Sequence, residues 1–153
     1  MSLDLKKQLI TQLVESSRFL RNYIDHRAKG RGTTRAQWIV LFRLREQEGL
    51  SQVDLADVLE LQPISLVRLL DRLVEHGLVE RRHDPRDRRA NRLFLTARGR
   101  QLADDLNSLR DSIATDVLQG VPAAAIETSL NTLRDIKERI KTFADPSGNV
   151  AAK

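Results

Sequence analysis

The chain has 153 residues, 41% apolar and 31% charged, which gives one globular body with a hydrophobic core and excludes both compositional disorder and a membrane-spanning run. It contains no cysteine, so disulfides, thiolate zinc sites, cysteine nucleophiles and thiol redox sensing drop out. The net charge of +5 is concentrated in two islands, residues 18–35 at +5 and residues 81–92 at +4, against −4 over residues 36–80 and zero in the two remaining segments.

Residues 1–7 carry Asp4 and no apolar block, so no secretion signal is read there and the cytoplasm is the expected compartment. Leu5, Leu9, Leu13, Leu20 and Ile24 share one face and predict a helix from about residue 4 to about residue 28, stopped by the run Lys29 to Gly32. Thr34 caps a second helix carrying Trp38, Leu41, Phe42 and Leu44 up to Gly49. Ser51, three residues before Asp54, caps a short third helix through Val53, Leu55, Ala56 and Val58. Gln62 and Pro63 open a fourth, with Leu66, Leu69, Leu70 and Leu73 as its apolar side and Gly77 as its left-handed close.

After Gly77 the period shortens. Leu78 to Arg82 and Asn91 to Thr96 read as strands around residues 83–90, a polar stretch with a proline turn signal, which together make a hairpin with a long basic tip. Thr96 caps a fifth helix with Leu102, Leu106, Leu109, Ile113 and Val117, and Pro122 starts a sixth with Ile126, Leu130, Leu133, Ile136, Ile140 and Phe143. Residues 145–153 read as a flexible tail. The expected fold is mostly α with a small β-hairpin wing: three short helices, the third begun by a proline and followed at once by a basic hairpin, form a winged helix-turn-helix. Such a helix, about 10–12 Å across, fits a DNA major groove while the hairpin reaches the adjacent minor groove. Ser51 to Val58 is then the supporting helix, Gln62 to His76 the recognition helix and residues 83–90 the wing tip. The second charge island is pure arginine, whose planar fork suits phosphate and guanine edges; a merely solvated charge run is the alternative.

Gln37-Trp38, Leu55-Ala56, the run Pro63 to Leu73, Gly77 to Arg81, Asp84 to Arg89 and Leu95 to Gly99 resemble, in order and spacing, the successive signatures of the MarR family of transcriptional regulators. The resemblance covers about Thr33 to Gly99. It implies a homodimer in which residues 1–30 are an N-terminal dimerisation helix, residues 33–99 a winged helix-turn-helix lobe with its own DNA contacts, and residues 100–144 C-terminal dimerisation helices. It implies also a pocket that accepts small aromatic acids or other phenolic compounds. Carried over residue by residue, it puts Arg89 in the minor groove with Asp87 orienting the loop, and Arg86 and Arg88 on phosphates or in the same groove. Gln62, Pro63, Ser65, Leu66 and Arg68 lie at the end of the recognition helix that faces bases, with Arg68 suited to guanine and Gln62 to adenine or to capping. Ser51 and Gln52 match a helix start that holds phosphate through backbone amides. Gln62 stands where a small hydroxyl or Asp cap is the family's habit.

The residues also admit plainer roles. Arg68 and Arg72 either face DNA or pair with Asp71 or Glu75, and Arg81 and Arg82 either bind or simply alternate across a strand. Trp38 is either core or a wall of the effector pocket and so its candidate ligand contact; Arg18, Arg21 and Arg27 meet a carboxylate, solvent or phosphate. The leucine stripes of the first, fifth and sixth helices are core or dimer seam. His26, His76 and His83 have no metal-site spacing, and no nucleophile–base pair, carboxylate pair or glycine-rich phosphate loop appears, so no metal, cofactor or enzymatic activity is expected. The function expected is a sequence-specific regulator of double-stranded DNA, a repressor by occlusion released by a small ligand, with activation open and no membrane partner. Its rival is a winged helix that contacts protein or RNA.

Overall fold

The computed structural model describes residues 2–144, apart from the side chains of Arg88 and Arg89. The elements are α1 (Leu3–Ala28), α2 (Arg35–Glu46), α3 (Gln52–Leu59), α4 (Pro63–Glu75), β1 (Val79–Asp84), β2 (Asp87–Leu95), α5 (Ala97–Val117) and α6 (Ala123–Phe143). The chain divides into two compact units at the Ile113–Ala114 junction. Among the described residues no helix is long and apolar enough to cross a membrane.

Local chemistry sets the helix ends. At α2 the Thr34 hydroxyl accepts the Gln37 N–H at 3.2 Å and the Gln37 side-chain oxygen accepts the Thr34 N–H at 3.2 Å, a reciprocal capping box that holds Gln37 in the interior. Ser51 caps α3 by accepting the Asp54 N–H at 3.0 Å. That helix closes on Glu60 at φ 54°, where the Leu61 N–H reaches the Ala56 carbonyl at 3.0 Å. A left-handed glutamate costs about 1–2 kcal/mol relative to an ordinary backbone, and it makes the sharp three-residue turn that aims α4. Pro63 occupies the first position of α4, while Gln62 contributes only its carbonyl, which accepts from Ser65 and Leu66, and makes no side-chain cap.

The end of α4 is tied to the start of α5. Gly77, at φ +71°, donates to the Val74 carbonyl at 3.0 Å, and Leu78 donates to the Leu73 carbonyl at 2.9 Å, with Leu73 and Leu78 both buried; this is a Schellman closure with its apolar contact. Thr96 donates its backbone N–H to Leu78 and its hydroxyl to the Gly77 carbonyl at 2.6 Å, then accepts the Gly99 N–H at 3.0 Å as the cap of α5. Gly99 presses so near Leu78 that a Cβ there would lie 2.8 Å from the Leu78 carbonyl carbon and overlap its oxygen. The run Leu95 to Gly99 is therefore a backbone splice between α4 and α5.

Leucines from every part of the lobe fill one core: Leu41 and Leu44 of α2, Leu55 of α3, Leu66, Leu70 and Leu73 of α4, Leu93 of the wing and Leu106 of α5 are all sealed from solvent. By contrast α1 and α6 hold no buried residue.

The hairpin differs from expectation. Its antiparallel ladder runs from Val79–Leu95 through His83–Asn91 and then passes directly to Asp84–Asp87, leaving only Pro85 and Arg86 as the turn and residues 88–90 in a bulge. The strands reach further into the polar stretch because pairing needs only backbone groups, and because Asp84 closes the turn. One oxygen of its carboxylate accepts the Arg86 N–H at 2.9 Å across Pro85, and the other accepts Arg92 Nε at 3.1 Å. A short third rung joins the wing to the start of α3: Leu93 donates to the Leu50 carbonyl and Gly49 to the Leu93 carbonyl, each at 2.9 Å.

Candidate nucleic-acid interface

The period of α4 divides it into two faces. Leu66, Leu70 and Leu73 point into the core, and Ile64, Arg68, Asp71 and Arg72 lie on the outward side. Gln62, Pro63, Ser65 and Arg68 are all exposed at the start of the helix, where a base-reading set is expected. Leu66 is not among them: it is 1% exposed, so its side chain belongs to the core, one helical turn from Leu70, and has no surface to give a groove. Sequence reasoning missed two outward apolar residues, Ile64 at 66% and Val67 at 37% exposure. The same helical period that removes Leu66 places them.

One partner open to the α4 arginines, Asp71, is taken elsewhere. Its carboxylate accepts Arg81 Nη2 of the wing at 2.6 Å, and among the described residues neither the Arg68 nor the Arg72 side chain makes an ion pair or hydrogen bond. Arg81 also donates Nε to the Gln52 side-chain oxygen at 2.9 Å. One three-quarters-buried guanidinium thus fastens β1 to the start of α3 and to the outward side of α4. The supporting-helix residues are committed locally as well: the Ser51 hydroxyl to its cap and the Gln52 amide to Arg81. Arg82, on the other face of the strand, lies 4.1 Å from the Phe94 ring centroid and pairs with Glu80. Phe94 in turn packs against Gly49, whose φ is +81°.

On the wing, Arg86 sits in the turn with its side chain exposed, and Asp87 faces Asp84 across the first rung. The backbones of Arg88 and Arg89 belong to the bulged part of β2; their side chains lie outside the described residues. Asp84, paired with Asp87 across that rung, is a loop-closing carboxylate that sequence reasoning did not single out. The backbone hydrogen bond from Arg86, then that from Arg92, hold its pKa below the ordinary 3.8. The Asp-Pro pair was the available signal for it.

Trp38 belongs to the core and also lines two cavities. It is 6% exposed, its ring centroid is 5.9 Å from that of Phe42 at 57°, and its indole N–H is buried with no hydrogen-bond partner among the described residues. It lines a cavity of about 250 Å³ with Ile24, Arg35, Ile39, Phe42 and Arg110. It also lines a second cavity, of about 480 Å³, to which Asp25, Lys29, Thr33 and Arg35 contribute. The buried Thr33 hydroxyl also has no partner there. Arg27, by contrast, is engaged, donating to the Tyr23 hydroxyl at 2.7 Å and to Ser112 at 2.9 Å.

The MarR family profile matches residues 33–90, the stretch that holds α2, α3, α4 and most of the wing. The chain is similar along nearly its whole length to the transcriptional regulator PA3341, at 31% identity over 88% of this chain and 98% of that one, with a TM-score of 0.77. A MarR-family transcriptional regulator from Rhodococcus sp. RHA1 is 29% identical over 88% of this chain and 96% of that one, with a TM-score of 0.76. A cysteine-substituted mutant of MarR from E. coli, solved complexed with operator DNA, shares the fold at 24% identity and a TM-score of 0.76, over 89% of this chain and 99% of that one. With its winged helix-turn-helix, the matched lobe and full-length relatives of the same size, the chain belongs to the MarR family of transcriptional regulators.

Proposed function

We propose that the chain works as a homodimer on double-stranded DNA, each copy laying the start of α4 in a major groove and its wing in the neighbouring minor groove. The observation that carries this reading is the outward face of α4. Of its two exposed acids, Asp71 is neutralised by Arg81 and Glu75 stands at the far end of the helix, while the side chains of Arg68 and Arg72 are left uncommitted on the face where Gln62 and Ser65 present their own. The Arg81 brace makes α4 and the wing one rigid reader. Arg89 then enters the minor groove, Arg86 and Arg88 meet phosphates, Asp87 and Asp84 keep the loop in shape, and the amides at Ser51 and Gln52 hold the backbone. The operator complex of the E. coli relative supports this use of the shared fold. Dimerisation is supported by α1 and α6, which expose Leu5, Leu9, Ile10 and Leu20, and Leu130, Leu133, Ile140 and Phe143, and bury nothing.

The regulatory outcome is repression in the cytoplasm, by occluding polymerase, relieved by an aromatic acid bound beside Trp38. Its ring would lie against the Trp38–Phe42 pair, an acceptor would satisfy the orphan indole N–H, and its carboxylate would face Arg35 and Arg110. Such a ligand releases DNA only by its preference for a lobe spacing that the duplex does not fit. The reading is tested by titrating a duplex selected from a random pool, and a scrambled duplex, across salt. The selected site should bind at least about 10³-fold tighter, and both should weaken about 10³-fold or more between about 50 and 200 mM salt. Equal affinity for the two duplexes, or tighter binding to RNA, would reject it. A hydroxybenzoate that quenches Trp38, the chain's single tryptophan, without weakening DNA binding would reject the effector mechanism alone.

A further inference from the structure

The outward ridge of α4 contains a residue that folding does not require. Ile64 is 66% exposed, in the first turn of the helix, and it lies one turn before Arg68 on the side opposite Leu66, Leu70 and Leu73. Most of its side chain stays in solvent, and a β-branched residue is a poorer helix former than the arginine one turn on. Beside it, Pro63 is exposed and Val67 is 37% exposed, so the tip of the helix carries a small apolar cap on an otherwise charged reading surface. Val67 sits to one side of the ridge and is partly covered; Ile64 is the side chain that projects.

We propose that Ile64 is a specificity residue that reads the C5-methyl group of a thymine in the major groove. The inference rests on the DNA-binding reading above and deepens it. Among the groups on the major-groove edges of the four bases, the thymine methyl is the apolar one, while the guanine edge offers the two acceptors that suit an arginine fork. Ile64 and Arg68 are separated by about 6 Å along the helix axis, so one ridge reads a thymine and a guanine within about two base-pair steps. Positive charge brings the helix to the groove, and the methyl contact then discriminates among sequences that charge alone would treat alike.

The test uses the full chain and the tightest duplex recovered from a random-sequence pool, with each thymine of one half-site replaced in turn by deoxyuridine, which removes only the methyl. Wild-type protein should lose about fourfold in affinity at one position, the worth of one buried methyl, and Ile64→Ala should bind the thymine and deoxyuridine duplexes equally. Because Ile64 is exposed, the variant should keep the wild-type melting temperature, which makes misfolding separable. Wild-type protein that binds its selected duplex specifically but ignores every methyl would overturn this proposal and leave the DNA reading standing. An Ile64→Ala variant that keeps the full methyl response would do the same. Failure to recover any preferred duplex would overturn both.

Discussion

Gly99→Ala offers a test in which even the sign is diagnostic. In an unobstructed helix position this change stabilises by about 0.5–1 kcal/mol, because alanine restricts the unfolded chain and favours the helix. At Gly99 the new methyl meets the Leu78 carbonyl, 2.8 Å from its carbon and closer still to its oxygen. Leu78 cannot turn aside: its side chain is buried, its N–H is held by Leu73 and its carbonyl accepts from Thr96. Restoring ordinary contact with the carbonyl oxygen, the nearer of the two atoms, requires a backbone displacement of about 1 Å or more between α5 and the end of α4. Overpacking of this kind costs about 1–3 kcal/mol and strained hydrogen bonds add about 1 kcal/mol, so the variant should lose about 2–3 kcal/mol net. The expected fall in Tm is about 4–12 °C, and the urea midpoint should drop with little change in slope. A variant as stable as wild type, or more stable, would refute the splice between the recognition helix and α5.

Glu60→Gly should raise stability by about 1 kcal/mol in urea unfolding, since glycine adopts the left-handed close of α3 without the Cβ penalty; a loss would show that the glutamate side chain outweighs its backbone strain. Asp84 predicts an acid-sensitive wing. Its pKa is lowered in the folded state, so its contribution is complete above the ordinary 3.8 and is lost as pH falls below that value. Hydrogen exchange at the wing amides should accelerate selectively there, and Asp84→Asn should abolish that selectivity. Arg81→Met should cost about 1–2 kcal/mol, most of it from the Gln52 bond because Asp71 is 59% exposed and its ion pair is screened. The same variant should weaken specific DNA binding more than non-specific binding, and an equal loss of both would argue against the brace.

The legible parts of this protein are those decided within a few residues of chain. Thr34, Ser51, Pro63, Gly77 and Thr96 each mark a helix boundary by their own hydrogen-bonding or dihedral preference, and all stand where expected. The illegible parts depend on neighbours distant in sequence. Arg81 reads as one of a strand's alternating charges until Gln52 and Asp71 are brought to it by folding. Gly99 reads only as the end of a family signature, with no stated cause, until Leu78 is seen against it. Nearness to the helix start makes Leu66 read as a DNA contact, although its period with Leu70 and Leu73 points inward, and Ile64 escapes notice for the converse reason. Polarity alone suggests a longer wing turn, whereas Asp84 and backbone pairing carry the strands to Pro85.

The most direct measurement is of the spacing between half-sites. Two copies that each place α4 in a major groove on one face of the duplex demand half-site centres about one helical turn apart. Inserting about five base pairs at the centre of the selected site moves the second half-site to the opposite face. Binding should then fall to the level of a scrambled duplex, at a stoichiometry of two chains per wild-type site. Unchanged affinity for the lengthened site, or one chain per duplex at saturation, would contradict the twofold arrangement.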